Sequence, residues 1–167
     1  MKIKNIKIRD GCKAEDNVLV EFFRAETAKR SENGDIIAGE LVSAVSTHNK
    51  ITNAGLNLLR QYMSRTTPLI SHIAVGSGST GAAAGDTALE TETDRVAILD
   101  YSDGATGIIT FRAVLEANQG NGTVREFGLL NDATAGTLFA RSVLGANYTK
   151  DSSLIVRISW VFTGTDT

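Results

Sequence analysis

The chain has one cysteine, one proline and two histidines among its residues, and each shortage removes a class of protein. Cys12 alone cannot form an intrachain disulfide, so no covalent framework holds the fold. His48 and His72 lie far apart and form neither an HxxxH nor an HExxH pair, so with a lone cysteine the chain offers no zinc set. Each imidazole is expected at the surface or bonded locally. No run of about 18 apolar residues exists that would span a bilayer as a helix. The opening Met1 to Arg9 is basic, but it has no apolar core of signal-peptide length, so synthesis in a cytoplasm is expected.

What remains is an ordinary globular composition, 42% hydrophobic and 22% charged, over 167 residues. That length fits one domain with a sizeable core. The 17 basic and 19 acidic residues give a net charge of -2, which makes nucleic acid an unlikely partner. The charge is unevenly placed. Lys2, Lys4, Lys7 and Arg9 make residues 1–13 basic and a candidate N-terminal arm, although lysines also guard solvated edge strands against unwanted pairing. Asp86 to Asp103 is acidic, with Arg95 as its one base.

Period-two alternation dominates, the mark of strands with one wet and one buried face. It runs through Val18 to Phe23, returns in Ile36 to Val45 after the turn Ser31-Glu-Asn-Gly34, and recurs in Arg95 to Tyr101 and Gly107 to Ala117 around Ser102-Asp-Gly104. Thr123 to Leu130 and Gly136 to Leu144 repeat it across Asn131-Asp-Ala-Thr-Ala135. Ser153 to Phe162 is strongest, with Leu154, Val156, Ile158, Trp160 and Phe162 on one face. Short connections imply antiparallel pairing. One segment reads as helix, residues 53–64, capped by Thr52 or Asn53 and stopped before Pro68. Leu56, Leu59, Tyr62 and Met63 form its apolar stripe, and burying them contributes on the order of 6 to 12 kcal/mol before entropy is subtracted. Eight or nine strands, one helix and 16 glycines predict a mainly β, antiparallel β-sandwich or barrel-like domain with that helix packed on it. Residues 17–47 would form an N-terminal hairpin layer, with a subdivision near Thr47 to Lys50.

Gly76-Ser-Gly78-Ser-Thr-Gly81 follows an apolar run, Leu69 to Val75, and spells GxGxxG. A dinucleotide site needs a helix opening at the third glycine inside a βαβ unit. Here three alanines, Gly85 and Asp86 interrupt any such helix, so a flexible inter-strand loop is expected and no cofactor is assigned. Asp86 or Thr87 would cap a following short turn, with Glu90 as its capping-box partner. No GxSxG elbow marks a serine nucleophile. Glu90, Glu92 and Asp94 cluster where solvated acids are usual, rather than as a glycosidase pair.

Two charges stand inside apolar strands, Glu126 and Arg141. As an acid–base group Glu126 would need a raised pKa. As a structural group it would pair with Arg141, Arg95 or Arg125, and this is the expectation taken, with Glu126, Arg141 and Arg95 as ion-pair candidates.

Five segments in order resemble a group of tailed-bacteriophage tail and baseplate proteins of the tail-fibre-like kind. They are His48-Asn-Lys-Ile-Thr-Asn-Ala-Gly55, Ile70 to Gly78, Asp86-Thr-Ala-Leu-Glu-Thr-Glu-Thr-Asp-Arg95, Arg125-Glu-Phe-Gly-Leu-Leu130 and Gly136-Thr-Leu-Phe-Ala-Arg141. The resemblance implies a non-enzymatic virion structural protein, made in the host cytoplasm. It would assemble through contacts with other tail, baseplate or neck proteins and with copies of itself as a trimer or hexamer. The basic stretch Lys2 to Arg9 would then be an arm that adds to a neighbour's sheet edge. The alternative is a receptor- or carbohydrate-binding module of a tail fibre, for which Tyr101 and Tyr148 are the exposed-aromatic candidates.

Overall fold

A computed structural model describes residues 17–63, 69–102 and 108–163, without the side chains of 59–63 and 163. In chain order the strands are β1 (Asn17–Arg24), β2 (Lys29–Arg30), β3 (Ile36–Ala38), β4 (Leu41–Ile51), β5 (His72–Gly76), β6 (Glu92–Ala97), β7 (Asp100–Ser102), β8 (Ile108–Leu115), β9 (Gly122–Leu130), β10 (Leu138–Lys150) and β11 (Leu154–Thr163). Helix α1 (Asn53–Met63) lies between β4 and β5. The fold is mainly β and antiparallel. Nine strands make one sheet in the order β6-β5-β9-β10-β4-β1-β11-β8-β7, and β2 pairs with β3 in a small ribbon.

The large sheet curls towards a barrel. Its two edge strands, β6 and β7, are neighbours in sequence, so the chain itself bridges the rims. The Ile98 amide donates to the Ser71 carbonyl beside β5, and the next amide, that of Leu99, donates to the Arg112 carbonyl in β8, each at 2.8 Å. This break divides the single strand expected over Arg95 to Tyr101.

The inner face holds the main core. Val18, Val20 and Phe22 of β1 meet Val156, Ile158 and Trp160 of β11, and Phe111, Ala113 and Leu115 of β8 continue the layer. Strict alternation in these strands is what places them side by side on one surface. The return strand expected over Ile36 to Val45 is split, with Ile36–Ala38 as β3 paired to β2 across the Ser31–Gly34 turn, while β4 starts at Leu41 and lies with β1 in the middle of the large sheet rather than in a layer beside it. β4 runs unbroken through residues 47–50 and pairs with β1 and β10.

Helix α1 closes one end of the curl. Thr52 is its N-cap, because its Oγ1 accepts from the Gly55 amide at 2.9 Å, two orphan donors from the helix start. Leu58 enters the core, whereas Leu56 is half-exposed, so the stripe is rotated from the expected one. The side chains of Leu59, Tyr62 and Met63, and all of Ser64, fall outside the described residues. A Cβ on Gly55 would lie 2.0 Å from the Phe139 carbonyl oxygen, so only glycine lets the first turn rest on β10.

The outer face is covered in two places. The β2–β3 ribbon sets Ile36 on Phe23, Val114 and Ile155. Arg157 ties it down, donating to Glu21 Oε2 at 2.8 Å and to the Ile36 carbonyl while its guanidinium lies 5.4 Å over the Phe23 ring. The loop joining β5 to β6 sets Leu89 on Ala74, Leu130 and Leu138.

Candidate functional site

Glu126 and Arg141 occupy the outer face beneath that second loop, on adjacent strands β9 and β10. Glu126 is fully buried and Arg141 is 3% exposed. Arg141 donates from Nε and Nη2 to Glu126 Oε2 at 2.9 and 2.8 Å, and from Nη1 to Asp86 Oδ2 at 2.9 Å. Its Nη2 also lies 3.7 Å from Glu90 Oε2. Charge-assisted bonds of this forked kind hold orientation as well as energy. A buried ion pair needs its remaining lone pairs satisfied, and here backbone amides do so.

Those amides come from both ends of the β5–β6 loop, which the GxGxxG glycines open. Glu126 Oε1 accepts from Gly78 N at 2.9 Å and Thr91 N at 2.7 Å, and Oε2 accepts from Glu90 N at 2.9 Å. Glu90 turns back into the loop, where Oε2 accepts from Ser79 N and Thr80 N, each at 2.8 Å, and Oε1 accepts from Thr80 Oγ1 at 3.1 Å. Asp86 Oδ2 takes the Ala83 amide at 2.9 Å. The loop is therefore not slack, as the glycines suggested, but strung on three carboxylates. Nor does Glu90 act in a capping box: its carboxylate serves residues 79 and 80, and no helix starts at Asp86 or Thr87.

The geometry also explains which glycines matter. A Cβ on Gly76 would lie 2.2 Å from the Thr91 carbonyl oxygen and 2.7 Å from Glu126 Oε1, and one on Gly78 would lie 2.4 Å from that same Oε1. Gly81, the glycine that would open a dinucleotide-binding helix, has nothing within 4 Å. The first two glycines admit a carboxylate of the protein itself, and the amides that could face a phosphate face Glu126 and Glu90.

Burial pushes the Asp86 carboxyl up, but the Ala83 amide and the Arg141 guanidinium outweigh it and hold it below its usual range. Glu90 is lowered by the Thr80 amide and hydroxyl, with help from Ser79 and Arg141. Burial alone would lower Arg141, yet its bonds to Asp86 and Glu126 raise it. Each group is thus held in its charged form. The Arg141 guanidinium, bonded at once to Asp86 in the loop and Glu126 in the sheet, ties the two together.

The other sequence candidates lie elsewhere. Arg95 does not reach Glu126. It grips Glu92 through two bonds of 2.8 Å and donates to the Asp132 and Ala135 carbonyls, fixing the β9–β10 turn. Arg125 donates to Asn147 Oδ1 at 2.9 Å. His72 Nδ1 pairs with the adjacent Ser71 hydroxyl at 2.8 Å, and His48 is exposed. Tyr148 stacks on Phe22 at 5.6 Å between ring centroids, while Tyr101 is 71% exposed. Lys2, Lys4, Lys7 and Arg9 fall outside the described residues. Among the described residues no His, Cys, Asp and Glu side chains group to hold a metal ion, and no helix is long and apolar enough to cross a membrane.

Sequence reasoning missed Asp86 and Glu90 as partners of Arg141, because they sit in what reads as a solvated acidic turn. It also missed Lys150. This lysine, 1% exposed, closes the other end of the curled sheet by donating to the Glu116 carbonyl at 2.8 Å, the Ala117 carbonyl at 3.3 Å and Asn121 Oδ1 at 2.8 Å. Its place as the last residue of an alternating strand was the only available signal.

Comparison with protein-family models, with curated proteins and with solved structures found no match.

Proposed function

We propose that the chain is a non-enzymatic structural protein of a phage tail, baseplate or fibre-attachment region, acting in assembly through protein–protein contacts. It is carried in the virion after synthesis in the host cytoplasm. Its partners are other tail, baseplate or neck proteins and copies of itself in a trimer or hexamer, with no cofactor in its role. The observation that carries this reading is where the five phage-like segments fall. They supply β6, β5, β9 and β10, which are consecutive neighbours in the sheet, and the end of β4 with the cap of α1 beside β10. Asp86, Glu90, Glu126 and Arg141, from three of them, meet at the Arg141 lock. Segments dispersed in sequence thus make one mechanical unit, and its ionisable groups are engaged in holding a loop to a sheet.

The receptor- or carbohydrate-binding alternative draws less support. Sugar-binding sites stack rings on exposed aromatic faces, and of the two candidates Tyr148 is stacked within the core cluster, leaving Tyr101 alone. Size-exclusion chromatography with light scattering tests the assembly reading. A trimer or hexamer at micromolar concentration is expected. A monomer throughout, together with a melting temperature raised by a glycan or nucleotide, would replace this reading with a binding function.

A further inference from the structure

Lys150 keeps its charge at the closed end of the curled sheet without an acid to answer it. Nζ donates to the Glu116 carbonyl at 2.8 Å, the Ala117 carbonyl at 3.3 Å and Asn121 Oδ1 at 2.8 Å, the bonding of a satisfied ammonium. All three acceptors are neutral oxygens.

Of the three, Asn121 is the one that chemistry can change. It is exposed, and Gly122 follows it. An asparagine before glycine is prone to deamidate, because no side chain hinders the next backbone nitrogen from closing on the side-chain amide carbon. A Cβ on Gly122 would meet nothing within 4 Å, so the surroundings leave that approach open as well. Gly122 also begins β9, at the last pair of its ladder with β10, where strands fray at little cost.

The Lys150 ammonium sits where the reaction needs a positive charge. Ring closure puts negative charge on Asn121 Oδ1, and a fixed cationic donor at 2.8 Å stabilises it. Asn121 Nδ2 donates to the Ala117 carbonyl at 3.1 Å, which keeps the amide oxygen turned to the lysine. The other Asn-Gly pair, Asn33-Gly34, is arranged against reaction. Its attacking nitrogen is engaged, the Gly34 amide donating to the Ser31 carbonyl at 3.0 Å, and Asn33 Oδ1 meets the Ser31 hydroxyl rather than a cation.

We propose that Asn121 is a self-modification site, deamidated with the help of Lys150, and that its aspartate product becomes the counter-ion of that lysine. The Gly122 nitrogen attacks Asn121 Cγ and gives up its proton. The N–Cγ bond forms, the Cγ–Nδ2 bond breaks, and Nδ2 leaves with that proton as ammonia. Water then opens the cyclic imide at either carbonyl, leaving aspartate or isoaspartate at position 121. The aspartate sets a carboxylate oxygen where Oδ1 stood, and a neutral contact between the β8–β9 loop and the end of β10 becomes a charge-assisted one. Because Asn121 is exposed, the new carboxylate stays partly hydrated and costs little to place. The site rests on this local geometry and not on the particle assignment.

Peptide mapping of the folded native protein, incubated at neutral pH, tests it. Tryptic residues 113–125 should gain the mass of one amide-to-acid conversion, located at Asn121 by fragmentation, before residues 31–50 change at Asn33. Lys150→Met should slow the reaction in the folded protein, while both chains should react alike at Asn121 when unfolded in urea. Asn121→Asp should melt higher than the unmodified native chain. Should Lys150→Met not fold, the order of Asn121 and Asn33 in the native chain decides. Asn33 converting first, an intact Asn121, or an equal folded rate in Lys150→Met overturns the proposal. So does an Asn121→Asp midpoint at or below the native one.

Discussion

At the scale of single residues the fold depends on close approaches that only particular side chains permit. Glu126 is the sharpest case. Replacing it with alanine leaves the buried Arg141 with Asp86 and strands the amides of Gly78, Glu90 and Thr91. Breaking one side of a buried pair costs about 3–5 kcal/mol, so Glu126→Ala should lower the melting temperature by many degrees in calorimetry, and an unchanged midpoint would remove its structural role. The glycines give a second, paired prediction. Gly78→Ala forces a methyl against Glu126 Oε1 and should destabilise by more than 1 kcal/mol, roughly the cost of overpacking a tight site. Gly81→Ala enters open space and should shift denaturant midpoints little. A dinucleotide loop would show the opposite ranking. Glu126 and Arg141 were legible in the sequence because charges inside apolar strands demand a partner. Which arginine answers was not, since Arg141 and Arg95 are told apart only by where the turns aim them.

The elements show why alternation reads some strands well and others poorly. β1 and β11 bury apolar residues at every second position, so their faces follow from period alone. β4 places Ser43, Thr47 and Asn49 on its inward side, and polar residues there hid its full length from a hydrophobic pattern. In α1 the choice between Leu56 and Leu58 was decided by the approach of Gly55 to β10, a tertiary fact. Leu58→Ala should therefore cost about 2–5 kcal/mol, while Leu56→Ala should stay within about 0.5 kcal/mol by thermal melts. The β5–β6 loop has its own pH signature. Asp86 and Glu90 are lowered in the folded state, so the stability they lend is present above the ordinary carboxylate range. It is lost as pH falls through their lowered folded values. Hydrogen exchange should show the amides of Ser79, Thr80 and Ala83 losing protection in acid ahead of the β1–β11 core. Simultaneous loss would mean the carboxylates do not hold the loop.

For the whole molecule, the mainly β, barrel-like class was readable from composition and period, because both are set by residue type. The closure of the sheet was not. It depends on the two amides of Ile98 and Leu99 reaching opposite rims, in a stretch whose sequence continues the strand pattern without a turn signal. The outer face is likewise built by segments distant in sequence, the ribbon and the β5–β6 loop, each bringing one large apolar side chain, Ile36 and Leu89. The most direct measurement is quantitative mass spectrometry of density-purified particles from the genome that encodes the chain. A particle protein should be present at a fixed copy number that is a multiple of three. Its absence from particles, with the protein recovered only in the soluble lysate, would contradict the assignment.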